Sequence, residues 1–216
     1  MYCTWVAASS ILRDGGYNVV RCPPVLLLTH RIPMATALLL IDLQNDYFAG
    51  GALPLSGIDP ASRAAAELLH RFRATRQPLV HVRHIFASPE APFFRPATSG
   101  IEIHPSVAPL EGENIVTKHA VNSFHQTDLK AILDRQNVDS LVICGAMSHM
   151  CVEGTTRAAA DFGYRCQVIH DACATCDQKF AERTIPAADV HGTAMAALGF
   201  AYAQVLSLDE WRRSAS

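Results

Sequence analysis

Several features that would place a chain in a broad class are missing from this sequence. No apolar run is long enough to cross a bilayer, which takes about 20 residues; the densest stretch near the start, "PVLLL", is a short fragment. Neither charge dominates. Eighteen Lys and Arg against twenty Asp and Glu leave a formal charge of -2, so nothing points to nucleic acid or an anionic membrane surface as partner. The seven cysteines are an odd number without even spacing. Arg21, Pro23 and Pro24 interrupt the early apolar residues, and no small-residue cleavage site follows, so an export signal is not evident. Free thiols in a reducing, cytoplasmic setting are the expectation.

What is present fits one α/β domain. The chain has 216 residues, half of them hydrophobic, enough for a sizeable core. Residues 1–33 show no period and are expected to be an upstream extension with little fixed structure. The domain is expected to span residues 34–216, opening with "MATALLLIDLQNDYF" and containing no internal repeat or linker. Apolar runs then alternate with helical patterns. The runs are "ALLLID", "PLVHVRHIF", "NIVTK", "SLVICGA", "CQVIHD" and "AQVLSL", mostly continuous, as parallel strands covered on both faces require. Asp59 and Pro60 are expected to cap and open a helix over "ASRAAAELLHRFRAT". "QTDLKAILDRQN", "CVEGTTRAAADFG" and "PAADVHGTAMAAL" have helical spacing, and Gly163 is expected to stop the second of these. The alternation predicts a three-layer α/β/α fold, Rossmann-like, with a doubly wound, mainly parallel sheet. Residues 87–113 break it with a long proline-rich connection, which is expected to wall a pocket.

Ligands on open α/β sheets bind beyond the carboxyl ends of the strands. Three reactive side chains fall there: Asp42 ends "ALLLID", Lys118 ends "NIVTK", and Cys151 follows "SLVICGA" after a turn. Singly, Asp42 could cap a loop, Lys118 could be solvated, and Cys151 could be a small buried hydrophobe. Together they bring an acid/base, a cation and a nucleophile to one sheet edge.

Four ordered blocks, "LLLIDLQNDY", "TKHAVNSFHQTDL", "CGAMSHMCVEGTTRAAADFGY" and "VIHDACAT", resemble the isochorismatase-like cysteine hydrolases, a family that includes nicotinamidases. "GAMSHMCV" and "FFRPATSGIEIHPSV" look most like the subgroup containing streptothricin hydrolase, a lactam-opening enzyme. The resemblance implies an Asp42-Lys118-Cys151 triad. It also implies an oxyanion hole from the backbone N–H groups of Met147 and Cys151, presented by a cis peptide between Ala146 and Met147. The chemistry agrees: a helix N-terminus and Lys118 would favour a Cys151 thiolate. Asp42 would take the thiol proton, pass it to the leaving amine, then activate water against a thioester.

Nicotinamidases carry a metal on an Asp-x-His pair and a further His. The corresponding region here reads "HVRHIF", and His81 and His84, three apart on a strand, point to opposite faces. No metal and no cofactor are expected. "CATC", Cys173 to Cys176, has redox spacing but follows a strand and is read as structural. Phe48, Phe94, Phe124, Met150 and His149 are candidates for the pocket wall, though each could be an ordinary core or turn residue. The expected activity is hydrolysis of a C–N bond in a small amide or lactam by a homo-oligomer. Two alternatives remain: vinyl ether hydrolysis of the isochorismatase type, with Arg83 and Arg95 for the carboxylates, and a catalytically silent binding protein.

Overall fold

The structure, a computed structural model, describes residues 34–214. The expectation for residues 1–33 lies outside them. Six strands form one sheet, β1 Ala35–Ile41, β2 Leu79–His84, β3 Asn114–Lys118, β4 Val138–Ala146, β5 Arg165–Ala174 and β8 Ala203–Leu206. Their order is β3-β2-β1-β4-β5-β8, and every neighbouring pair is parallel. The helices are α1 Ile58–Ala74, α2 Leu129–Arg135, α3 Glu153–Asp161, α4 Ala187–Ala201 and α5 Leu208–Ser214. A separate antiparallel ribbon, β6 Gln178–Phe180 with β7 Arg183–Ile185, stands apart from the sheet.

The unbroken apolar run of β1 feeds two cores at once. Side chains alternate across a strand, so Leu38 and Leu40 enter one cluster with Leu68, Leu69 and Phe72 of α1 and Trp211 of α5. Ala37, Leu39 and Ile41 enter the other, with Leu129 and Leu133 of α2, Ala159 of α3 and Leu198 of α4. Helices thus cover both faces, and the three-layer, doubly wound architecture is the one read from the alternation. Two local features differ from the sequence reading. Gly57, at φ +73°, caps α1, so Asp59 and Pro60 lie inside its first turn rather than at its border. The last run also ends early, because Leu208 starts α5 instead of finishing β8.

The strand order reverses between β1 and β4, which places a crevice at their carboxyl ends. Gly145 allows these ends to close up. It pairs with Ile41 at φ +128°, and a Cβ there would fall onto the Ile41 carbonyl oxygen. The connection from residue 87 to 113 folds back over the same end. Asn45 N–H donates to Glu102 O, His104 N–H to Leu43 O, and Phe94 N–H to the buried Asp46 carboxylate. Among the described residues no helix is long and apolar enough to cross a membrane, and the five cysteines are free thiols.

Candidate active site

Asp42 is the first residue beyond β1. Its backbone takes the left-handed region at φ +52°, which Asp tolerates better than most residues, and its N–H still donates to Val82 O. Lys118 is the last residue of β3, two strands away. Cys151 lies between β4 and α3, in a single π-helical turn spanning Ser148–Val152. The cysteine therefore precedes α3 by two residues instead of sitting in its first turn. Such π turns occur frequently at functional sites. The Ala146–Met147 peptide is cis, as the family resemblance implies.

The structure brings all three side chains together. Lys118 Nζ is 2.7 Å from Asp42 Oδ2 and donates to Cys151 Sγ at 3.0 Å. It also donates to His84 Nδ1 and to the Ala120 carbonyl, each at 3.1 Å. Asp42 and Lys118 have no exposure, and Cys151 keeps 6%.

Charge explains the protonation state. The site holds one cation and two groups that could be anions. Burial pushes the Asp42 carboxyl above its ordinary range, against the pull of Lys118. Burial, and then the Asp42 charge, push the Cys151 thiol up, again against Lys118. For Lys118, burial alone would lower the value, but Asp42 and Cys151 outweigh it and hold the ammonium charged. Asp42 and Cys151 thus form a coupled pair beside one ammonium. Burial works against the thiolate expected at rest, and the Lys118 ammonium works for it.

The residues expected to wall a pocket come from four separate segments. Phe94 is buried against Tyr47, with ring centroids 4.6 Å apart, and against His84 at 6.1 Å. Phe48 stacks on His104 at 3.5 Å and borders a cavity of about 380 Å³ lined also by Asn45, Asp46, Gly100 and Pro105. None of Asp42, Lys118 and Cys151 lines that cavity. Phe124 packs on Phe162 and Tyr164 in the core on the opposite sheet face from Phe48 and Phe94. Cys151 belongs to that same core cluster. His149 hydrogen-bonds Thr175 Oγ1 at 2.7 Å through Nδ1, and Met150 is partly exposed. Cys173 is buried, with its thiol on Ile169 O, whereas Cys176 lies against Met147 Sδ at 3.7 Å.

The two histidines of "HVRHIF" part as their spacing requires. His81 Nε2 meets Glu113, which also takes two hydrogen bonds from Arg73. His84 turns to Lys118. Asp42, His84 and Cys151 place donor atoms within 4.8 Å of one another, a spacing that a metal ion would accept. The Lys118 ammonium already contacts all three, so a resident metal does not fit among them. Sequence reasoning missed His84 as a partner of Lys118. It also missed Gln44, whose amide accepts from His84 N–H at 2.7 Å and donates to His84 O and Ile101 O at 2.9 Å.

A doubly wound parallel sheet with a buried Asp-Lys-Cys cluster at the carboxyl ends of its strands defines the α/β class of this protein. Comparison with known proteins gives the family. The Isochorismatase domain model matches residues 36–201, and the chain belongs to the isochorismatase family of hydrolases. It is 49% identical to the isochorismatase family protein YddQ of Bacillus subtilis, over 80% of this chain and 96% of that protein. It is 35% identical to streptothricin hydrolase of Streptomyces noursei, over 75% of this chain and 55% of that enzyme. A crystal structure of an isochorismatase hydrolase from Oleispira antarctica superposes with a TM-score of 0.79 at 56% identity, covering 82% of this chain and 95% of that one.

Proposed function

We propose that this family member is a cysteine hydrolase that cleaves the C–N bond of a small amide or lactam through a thioester on Cys151. One observation carries the reading: a single buried ammonium, Lys118 Nζ, lies within 3.0 Å of both the Asp42 carboxylate and the Cys151 sulfur. Folding does not require this arrangement, since well-packed apolar residues generally replace a buried ion pair without loss of stability. That argues against a silent binding protein. The amide-hydrolysing activity in the name of a relative, maleamate amidohydrolase of Pseudomonas putida at 28% identity, supports the same choice of bond.

In this mechanism Asp42 accepts the thiol proton as Cys151 Sγ attacks the carbonyl carbon, and Lys118 remains charged beside the new sulfur anion. The developing oxyanion lies on the backbone N–H groups of Met147 and Cys151. The C–N bond breaks as Asp42 returns its proton to the leaving nitrogen. Water then attacks the thioester while Asp42 takes one of its protons. The C–S bond breaks, the acid departs, and Asp42 hands the proton back to sulfur. Each step moves one proton within the cluster, so Lys118 never needs to titrate.

The vinyl ether alternative needs cations for the carboxylates of its substrate. Arg83 is committed to Thr117 Oγ1 and lies beside Glu102, and Arg95 is exposed. Neither is bound into the Asp42-Lys118-Cys151 cluster. The test is a panel of small amides, lactams and isochorismate, with rapid acid quench and peptide mass analysis. An acyl adduct on the Cys151 peptide, absent in Cys151→Ala, is the expected result. Turnover of a panel amide by Cys151→Ala would refute the reading.

A further inference from the structure

The proton transfers leave His84 without a role, yet its side chain touches Lys118. β2 and β3 pair in parallel with His84 opposite Lys118, which sets both side chains on the same face of the sheet. Gln44 clamps the backbone of His84 through both its N–H and its carbonyl. The ring lies 4.4 Å from Phe86 and 6.1 Å from Phe94, centroid to centroid, and is 5% exposed. An ammonium has no lone pair, so Nδ1 must accept the Lys118 hydrogen bond and the ring proton belongs on Nε2. Burial, and then the Lys118 charge, lower His84 to about 4, which keeps Nδ1 available as an acceptor across the neutral range.

The ammonium has three hydrogens and, among the described residues, four polar neighbours within reach. Asp42 and Cys151 take part in the reaction, whereas His84 Nδ1 and Ala120 O do not. Asp42 is the nearest of the four and carries charge. Without an opposing acceptor the ammonium would settle on Asp42 and leave the sulfur. The Ala120 carbonyl belongs to the backbone; His84 supplies the opposing acceptor from a side chain.

We propose that His84 is a positioning residue that holds the Lys118 ammonium beside Cys151 Sγ and so sets how readily that thiol becomes a nucleophile. This rests on Cys151 being the nucleophile of the proposed hydrolase. The experiment therefore measures the thiol directly, by iodoacetamide labelling of Cys151 from pH 6 to 10 with peptide mass analysis and with melting curves as the folding control. In His84→Leu, which keeps bulk but removes the acceptor, labelling at pH 7 should slow about tenfold and the midpoint of its pH profile should rise by about one unit. His84→Asn places an amide oxygen near the Nδ1 position and should stay within about threefold of the unaltered protein. His84→Gln places its amide near Nε2 instead and should behave like leucine. If His84→Leu fails to fold, the contrast between Asn and Gln decides, because the two are alike in polarity and differ in where the acceptor falls. Unchanged labelling in His84→Leu or His84→Gln, beside fast labelling of the unaltered protein, would overturn the role of His84 alone. So would an asparagine variant as slow as the glutamine one. Slow labelling of Cys151 in the unaltered protein would overturn the nucleophile assignment itself, and this inference with it.

Discussion

Replacing Lys118 with methionine keeps the length of the side chain and removes the ammonium. Asp42, which has no exposure, then stands beside a thiol with no cation to answer it. Breaking a buried ion pair from one side costs about 3–5 kcal/mol. For a chain of this size each kcal/mol moves the melting midpoint by about 2–4 °C, so Lys118→Met should melt about 6–20 °C lower at pH 8.5. The loss depends on pH, and the sign follows from Asp42. Its folded value is already above 3.8 through burial, and without Lys118 it climbs further. A group whose folded value is raised contributes stability that is complete below its unfolded value and is lost as pH rises toward the folded one. Each pH unit above the ordinary carboxyl range therefore costs about 1.4 kcal/mol until Asp42 ionises. Melting curves at pH 5.5 and pH 8.5 should show a gap to the unaltered protein that is small at the first and wide at the second. The double variant Asp42→Asn/Lys118→Met removes the stranded charge and should recover most of the midpoint at pH 8.5 while remaining inactive. An equal gap at both pH values, or no recovery in the double variant, would refute the reasoning.

Other outcomes can be checked alongside. Asp42→Asn should lower turnover of a confirmed amide about 10²–10⁴-fold, measured below its melting midpoint, because the general base is lost. The acid limb of the pH–rate profile should lie above the usual carboxylate range, since burial raises Asp42, and activity should fall as pH drops through that raised value. Cys151 should outpace Cys176 in iodoacetamide labelling although Cys176 is the more exposed, because only Cys151 has Asp42 and Lys118 beside it. Glu113→Gln should destabilise the fold by about 1.5–3 kcal/mol, the range for hydrogen bonds to a charged group. Hydrogen bonds from Arg73 hold Glu113 near about 2, so its contribution is present above pH 4.5 and fades as pH falls toward 2; the variant should lose that acid-range dependence.

Much of the architecture was written in local pattern. Continuous apolar runs such as "ALLLID" identify strands buried on both faces, because only such strands need an apolar residue at every position. Strand ends then marked Asp42 and Lys118, since an ionisable residue that closes an apolar run falls where the sheet meets its crevice. The period of two in "HVRHIF" already separated His81 from His84, and the structure sends one to Glu113 and the other to Lys118. Less was legible where no periodic signal exists. The ribbon formed by β6 and β7 is three residues a side, too short to carry a pattern, and the π turn at Cys151 differs from an α turn only in which backbone groups meet.

The residue types needed for the chemistry, and the sheet edge they share, follow from the order of amino acids along the chain. Which atoms touch does not. The contact between His84 and Lys118 spans 34 positions and exists because β2 and β3 pair in one register; a slip of one residue would turn every side chain of either strand to the other face. Whether Cys151 rests as thiol or thiolate was also beyond reach of the sequence. It depends on how many charges the folded chain seals into one dry space, and that space forms only when three distant segments close around a single ammonium.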